Sequence, residues 1–237
     1  MSTASTASSN RLPPAALGLT LSGATLVAAG TWLHPTNADP NDSLAAFTEY
    51  AETHRASWVA SHLIQLGGLV AILLVIVLLT RALAVAPRSG LALVTTTAAA
   101  ATIAVAAVLQ AVDGVALKAS VDRWADATQP EKPSLFAASL AVRDVEIGLA
   151  ALSSLLLGFT TLAFGLAIWR ASDGRHIVEF LLLAASAILA VGGAIIAVDG
   201  FSAAGMNLTS LGGILAAIGT GAAAARARRV LSTSSSG

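Results

Sequence analysis

The chain has 237 residues, 56% apolar and 11% charged, with a formal net charge of zero; a soluble domain carries roughly 25% charged residues. These proportions describe an integral membrane protein, and no run of like charges suits a nucleic-acid partner. Cys is absent, which excludes disulfides, a thiolate nucleophile and Cys-ligated zinc or iron–sulfur centres.

A hydrocarbon layer about 30 Å thick takes about 20 helical residues, because each segment must satisfy its own backbone polar groups. Six stretches qualify: 15–33, 58–79, 91–112, 147–169, 177–198 and 208–225. The expected fold is therefore all-α, a polytopic bundle forming a single transmembrane domain over 15–225. Residues 1–14 and 226–237 are expected to be disordered cytoplasmic tails. A rival reading makes the first span a signal peptide, since Arg11 precedes an apolar core and Val27-Ala28-Ala29 resembles a cleavage site. The apolar run continues through Trp32 and Leu33, longer than an h-region needs, and cleavage would leave five spans.

The first outer loop, 34–57, opens with His34-Pro35 and is acidic. Asp42 or Ser43 is placed to cap a short helix with Leu44, Phe47 and Ala51 on one face. That helix is expected on the membrane surface, with Asp39, Asp42, Glu49 and Glu52 toward water. Pro87 and Gly90 break the chain before the third span. The tetrapeptide Ala-Val-Asp-Gly closes both the third span, at 111–114, and the fifth, at 197–200. Each aspartate is thus expected at a helix C-terminus, where the macrodipole disfavours an anion. A shift of 86 residues superposes the two tetrapeptides and suggests that spans two and three are copied in spans four and five. The second outer loop, 113–146, contains Pro130 and Pro133; helix from the cap Ser134 should run straight into the fourth span. Asp173-Gly174 separates the fourth and fifth spans, and Glu179 sits in a first helical turn where its charge is favoured. Gly213, Ala217 and Gly221 form a small-residue ridge on the last span, as do Ser186, Ala190, Gly193 and Ala194 on the fifth. Such ridges mean close helix packing, within the chain or against a second copy or membrane partner.

Lys and Arg separate by side. Arg11, Arg81, Arg88, Arg170, Arg175, Arg226, Arg228 and Arg229 fall on one side; Arg55, Lys118, Arg123, Lys132 and Arg143 spread over the longer connections of the other. This asymmetry expects both termini in the cytoplasm. Trp32, Trp58, Trp124 and Trp169 fall at span ends, as an aromatic belt requires. Arg-for-Lys bias and abundant Ala point to a bacterial inner membrane.

That threading gathers polar residues at the outer side: His62 and Gln65 at the start of span two, Gln110 and Asp113 at the end of span three, then Lys118, Arg143, Glu146 and Asp199. Helical spacing extends stripes inward, through Thr102 and Thr95 on span three and Ser153 and Thr160 on span four. The functional reading is an outer-leaflet vestibule for a small solute or ion, with Asp113, Asp199 and Glu146 as anions, Arg143 and Lys118 as counter-charge and His62 as a titratable group. The plain reading is helix ends meeting water, with Arg143 and Glu146 an ordinary i, i+3 pair. A structural or accessory subunit is the alternative; a third reading is an intramembrane enzyme with His62 and Asp113 as base and orienter, for which no nucleophile is found. No catalytic residue, cofactor or metal site is assigned. Haem lacks a second in-span His facing His62; His34 and His54 could join His62 and a carboxylate around a divalent ion, but no metal-ligand spacing such as H-x-x-x-H is present.

Ser61-His62-Leu63, the 113–118 segment Asp-Gly-Val-Ala-Leu-Lys and the 143–148 segment resemble stretches of uncharacterised bacterial multi-pass integral membrane proteins. The resemblance implies a membrane helix bundle and brings no activity with it.

Overall fold

The computed structural model describes residues 15–35, 37–83, 90–172 and 176–233. In chain order these form α1 (Ala16–Leu33), α2 (Ser43–Glu52), α3 (Arg55–Leu83), α4 (Gly90–Ala111), a π-helical stretch (Val112–Leu117), α5 (Lys118–Ala125), α6 (Lys132–Arg170), α7 (Ile177–Asp199) and α8 (Ala203–Thr233). The π stretch joins α4 to α5 without a break, so six continuous rods are long and apolar enough to cross a membrane. Among the described residues there is no strand. Each rod exposes large apolar side chains, including Leu21, Leu74, Leu93, Phe159, Val191 and Ile214. Water would penalise such a surface and lipid does not.

Small residues set the packing. A Cβ on Gly68 would stand 2.5 Å from the Gly23 carbonyl oxygen, so α1 and α3 cross backbone to backbone. On α8, Gly205, Gly212 and Gly219 recur every seven residues and seat on Ile196, Leu189 and Leu182 of antiparallel α7, which also step by seven. A seven-residue period keeps one seam facing its partner along a shallow left-handed crossing. The 213–221 ridge lies beside this seam: Gly213 looks into open space, whereas Gly221 faces Thr20 and Leu17 of α1. On α7, Ser186 is buried and Gly193 packs on Ala151 and Ser154 of α6, while Ala190 and Ala194 are exposed. Ser154 Oγ donates to the Leu189 carbonyl at 2.9 Å, and Thr102 and Thr160 hydroxyls meet at 3.0 Å between α4 and α6. Of the expected polar stripes, Thr95, Thr102 and Thr160 are buried, and Ser153 is half-buried.

At 39 residues, α6 is about 58 Å long at 1.5 Å per residue, and the rod from α4 through α5 is nearly as long. Both overrun a hydrocarbon layer of about 30 Å. They project together at one end, and α2 lies across them. Ala46, Phe47 and Tyr50 of α2 are buried against Trp58, Leu117 and Val121, with Trp124 and Phe136 packed around them. The apolar face of this amphipathic helix packs on the bundle. Its N-cap is Asp42, whose carboxylate accepts from the Leu44 and Ala45 amides at 3.1 Å. Asp39, Asp42 and Glu52 are exposed and Glu49 is half-buried. The aromatic belt reduces accordingly: Trp32 is exposed, Trp58 is fully buried inside the cap, and Trp169 stacks on His176 at 4.3 Å.

Three boundaries depart from the sequence expectation. The third span does not stop at Asp113-Gly114 but runs on through the π stretch. Glu131, not Ser134, precedes the first turn of α6, with Pro133 near its start where a missing N–H costs nothing. Helix continues past residue 226 to Thr233. The second Ala-Val-Asp-Gly does terminate its helix, at Gly200 with φ of 66°. The two copies thus have different backbone fates. Residues 1–14, Pro87, Arg88, Asp173, Gly174, Arg175 and 234–237, which carried several of the expectations, lie outside the described residues.

Candidate functional site

The π stretch determines what Asp113 can do. In a π turn one extra residue enters the helix, the local hydrogen-bond ladder is rearranged, and a side chain is re-aimed; such bulges are frequent at functional sites. Asp113 sits in the first turn of this stretch, inside a continuous rod, so the C-terminal dipole argument does not apply to it. Its neighbour Gly114 is buried against α3: a Cβ there would stand 2.9 Å from His62 Cβ and 3.1 Å from His62 Cγ. Only a residue without a side chain lets the bulge come this close to His62.

His62 Nε2 consequently stands 2.8 Å from Asp113 Oδ2. His62 is 2% exposed and Asp113 16%. The other imidazole nitrogen, Nδ1, lies 2.7 Å from the Trp58 carbonyl oxygen, an acceptor that can only take a hydrogen. That bond places the ring proton on Nδ1 and leaves Nε2 with its lone pair toward the carboxylate. Two acceptors in contact require a proton or another cation between them. Trp58 completes the frame by donating from Nε1 to the Asp113 carbonyl at 3.0 Å. Asp113 Oδ1 and, one helical turn before it, Gln110 Oε1 are buried without a hydrogen-bond partner.

His34, at the exit of α1, joins the pair. Its ring lies 5.2 Å from that of His62 and 4.8 Å from that of Trp58. One ligand atom each from His34, His62 and Asp113 lie within 4.8 Å of one another. His34 Nδ1 donates to the Pro35 carbonyl at 2.8 Å, so Nε2 keeps its lone pair. Burial holds the His34 imidazole below its ordinary value, against the opposing pull of Asp113 and the Pro35 carbonyl. His34 is half-buried and is the most water-accessible of the three rings around Trp58. His54, by contrast, is exposed and its Nδ1 accepts from the Ala56 amide; it stands outside the group.

A second layer fixes the cap over this cluster. Arg143, 4% exposed, donates from Nη1 to both Glu146 oxygens at 3.1 and 3.0 Å and from Nη2 to the Pro40 carbonyl at 2.9 Å. Its guanidinium lies 4.5 Å from the Phe201 ring centroid. Glu146 is 3% exposed and within electrostatic reach of Asp113. Lys118, 2% exposed, donates to the Tyr50 carbonyl at 2.8 Å and pairs with Asp122. Burial lifts the Tyr50 hydroxyl to about 12, although nearby Arg143 works against the rise. Glu49 ties the 37–38 strap to α2, accepting from the Asn37 and Ala38 amides at 3.0 and 2.9 Å. Its own partial burial would raise the carboxyl, but these bonds outweigh it and hold the group below its ordinary value.

Of the sequence candidates, His62, Gln110, Asp113, Arg143 and Glu146 fall in or beside one cluster. Lys118 pins α5 to α2. Gln65 lies lower on α3, its Cγ filling the space over Gly30 of α1. Asp199 is exposed, and its carbonyl accepts from Asn41 Nδ2 at 3.0 Å; the twin carboxylates do not share a site. Sequence reading offered His34 and His54 alike as companions of His62 and did not separate them; it missed Trp58 as the shared wall and Gly114 as the reason the bulge fits. The one available signal was an Asp-Gly followed by continued helix-compatible sequence through Lys118. No family model, curated protein or solved structure matches this chain.

Proposed function

We propose that this chain is a multi-pass membrane protein that binds a small cationic solute or an ion at the His62–Asp113 cluster. The observation that carries the reading is the acceptor-to-acceptor contact of His62 Nε2 with Asp113 Oδ2, beside a second Asp113 oxygen and a Gln110 oxygen that the protein leaves buried and unpartnered. Buried polar atoms are costly unless something satisfies them; those of His62, Asp113 and Gln110 are acceptors, while Arg143 Nε in the second layer is an unpartnered donor. Formal charge agrees: Asp113 and Glu146 are opposed by one fixed cation, Arg143. The Arg and Lys asymmetry puts this end of the bundle outside a bacterial inner membrane, with both termini cytoplasmic. Arg143, Glu146 and Lys118 then serve to hold the cap that covers the site. A general-base role for His62 has less support, because its free lone pair on Nε2 faces the Asp113 carboxylate and no nucleophile stands beside it.

Purification in native lipid followed by native mass spectrometry tests the reading, together with uptake of labelled cations into proteoliposomes. The wild-type chain is expected to retain or pass a cationic species, and Asp113→Asn to lose that property while still accumulating with unchanged helical circular dichroism. A wild-type chain that retains and passes nothing, with Asp113→Asn failing to fold, would instead mark a structural or accessory subunit whose polar cluster fixes helix packing.

A further inference from the structure

We infer that His34, His62 and Asp113 form a binding site for one divalent transition-metal ion of the zinc class. This rests on the cation-binding reading above and names the cation. The donor set is two imidazole nitrogens and a carboxylate, a combination suited to borderline ions and poor for alkali or alkaline-earth ions, which prefer all-oxygen shells. Both imidazoles are prepared in the manner of metal ligands. A ligating His donates its remaining N–H to a carbonyl or carboxylate, which fixes the tautomer and aims the lone pair. His34 does so to Pro35 at 2.8 Å and His62 to Trp58 at 2.7 Å, so each keeps its other nitrogen unprotonated. The carboxylate is held as well, because the Trp58 indole fixes the bulge backbone at Asp113.

The distances allow it. Bonds of about 2.0–2.1 Å put two ligand atoms about 2.9 Å apart at a right angle and about 3.3 Å apart in a tetrahedron. His62 Nε2 and Asp113 Oδ2, at 2.8 Å, already stand at the right-angle separation. The widest gap in the trio is no more than 4.8 Å, so closure needs a movement of about 2 Å at most. His34 can supply it, since it follows the last turn of α1 and is half-buried rather than locked in a helix. Three protein ligands would leave a coordination position for a fourth ligand, as in sites that exchange or activate one. The sequence hid the trio because its members are separated by 28 and 51 positions on three different segments.

The test uses the full chain in lipid nanodiscs, purified without a polyhistidine tag. Zinc content per chain is measured after equilibration and removal of excess, affinity by competition with a chromophoric chelator, and geometry from the visible bands of the cobalt-substituted protein. One zinc per chain is expected, with affinity falling at least tenfold in His34→Ala, at least a hundredfold in Asp113→Asn and His62→Ala, and unchanged in His54→Ala. If His62→Ala does not accumulate, His34→Ala and His34→Gln carry the test, since His34 is not part of a helix. Substoichiometric zinc in the wild type, or affinity indifferent to His34→Ala and Asp113→Asn, overturns the inference. Should zinc be refused while an amine or monovalent cation is retained in an Asp113-dependent way, the metal falls and the cation-binding reading stands; if nothing is retained, both fall.

Discussion

The approach of the π stretch to α3 can be measured by comparing two glycine-to-alanine substitutions with opposite expected signs. In Gly114→Ala the new Cβ would stand 2.9 Å from His62 Cβ. Carbon atoms rest at about 3.5–4.0 Å, so the contact must open by about 0.6–1.1 Å. The atom in the way belongs to the root of a side chain on a buried helix, so the bulge or α3 has to move. Overpacking of this kind costs about 1–3 kcal/mol, while replacing Gly by Ala within a helix returns about 0.5–1 kcal/mol. The net expectation for Gly114→Ala is a loss of about 0–2.5 kcal/mol. Gly148→Ala, on α6, meets nothing within 4 Å and should gain the propensity contribution alone, about 0.5–1 kcal/mol. Equilibrium unfolding in mixed micelles should therefore separate the variants by the overpacking cost. The Trp58 indole N–H resonance should shift only in Gly114→Ala, because its bond to the Asp113 carbonyl is strained by the same movement. Equal stabilities, with an unshifted indole signal, would refute the claim that this bulge is packed tightly on His62.

Tyr50 is the single tyrosine in the chain, so an ultraviolet titration reads it alone. The folded protein should ionise at about 12 and the unfolded chain near the ordinary value of about 10. Because the folded-state value is the higher, the stability that Tyr50 contributes is complete below about pH 10 and is lost between about pH 10 and 12; ionisation near pH 10 in the folded protein would contradict its burial. Glu49 has the opposite sign: its folded value lies below its ordinary one, so its contribution is complete above the ordinary carboxyl range and disappears as pH falls through the folded value. Glu49→Gln at neutral pH should speed amide exchange at Asn37 and Ala38, and acidification of the wild type should do the same; unchanged exchange in both would remove the strap from the account. At the other end of the bundle Glu179 is fully buried and its Oε1 lies 3.0 Å from Arg226 Nη1. Arg226→Ala should destabilise by about 1–3 kcal/mol, because buried Glu179 keeps only His176, 3.9 Å away, as a cationic neighbour, and Glu179→Gln in the same chain should restore most of the loss. Failure of that restoration in an unfolding measurement would mean that Arg226 acts through packing rather than charge.

The glycine seam shows why part of the packing was legible and part was not. Gly205, Gly212 and Gly219 at seven-residue intervals, and Ile196, Leu189 and Leu182 at the same interval on the preceding helix, are a readable pattern. The 213–221 ridge obeys the small-residue rule just as well, and local spacing alone does not say which of two adjacent ridges meets a neighbour. The amphipathic face of α2 was likewise visible, but its bed was not. An apolar stripe docks equally well on lipid or on protein, and only the tertiary structure shows Trp58, Leu117, Val121 and Phe136 assembled as its bed. Asp113 and Asp199 carry identical local sequence and end in different states because Asp113-Gly114 is followed by helix-forming residues that find α2 and α6 to pack on, whereas Gly200 turns the chain at once into α8.

By itself the sequence determined that the chain is a bundle of six membrane-length helices, where most of its polar residues fall, and that His62 and Asp113 belong to one end. Those conclusions rest on hydropathy and helical period, which are local quantities. Tertiary structure alone decided that a π turn carries Asp113 onto His62, that His34 rather than His54 or Asp199 joins them, and that Arg143 and Lys118 are spent on holding the cap. Each of these depends on a close approach between segments far apart in the chain. Such approaches are set by which helix pairs can come together at small residues, and that is a property of the whole bundle.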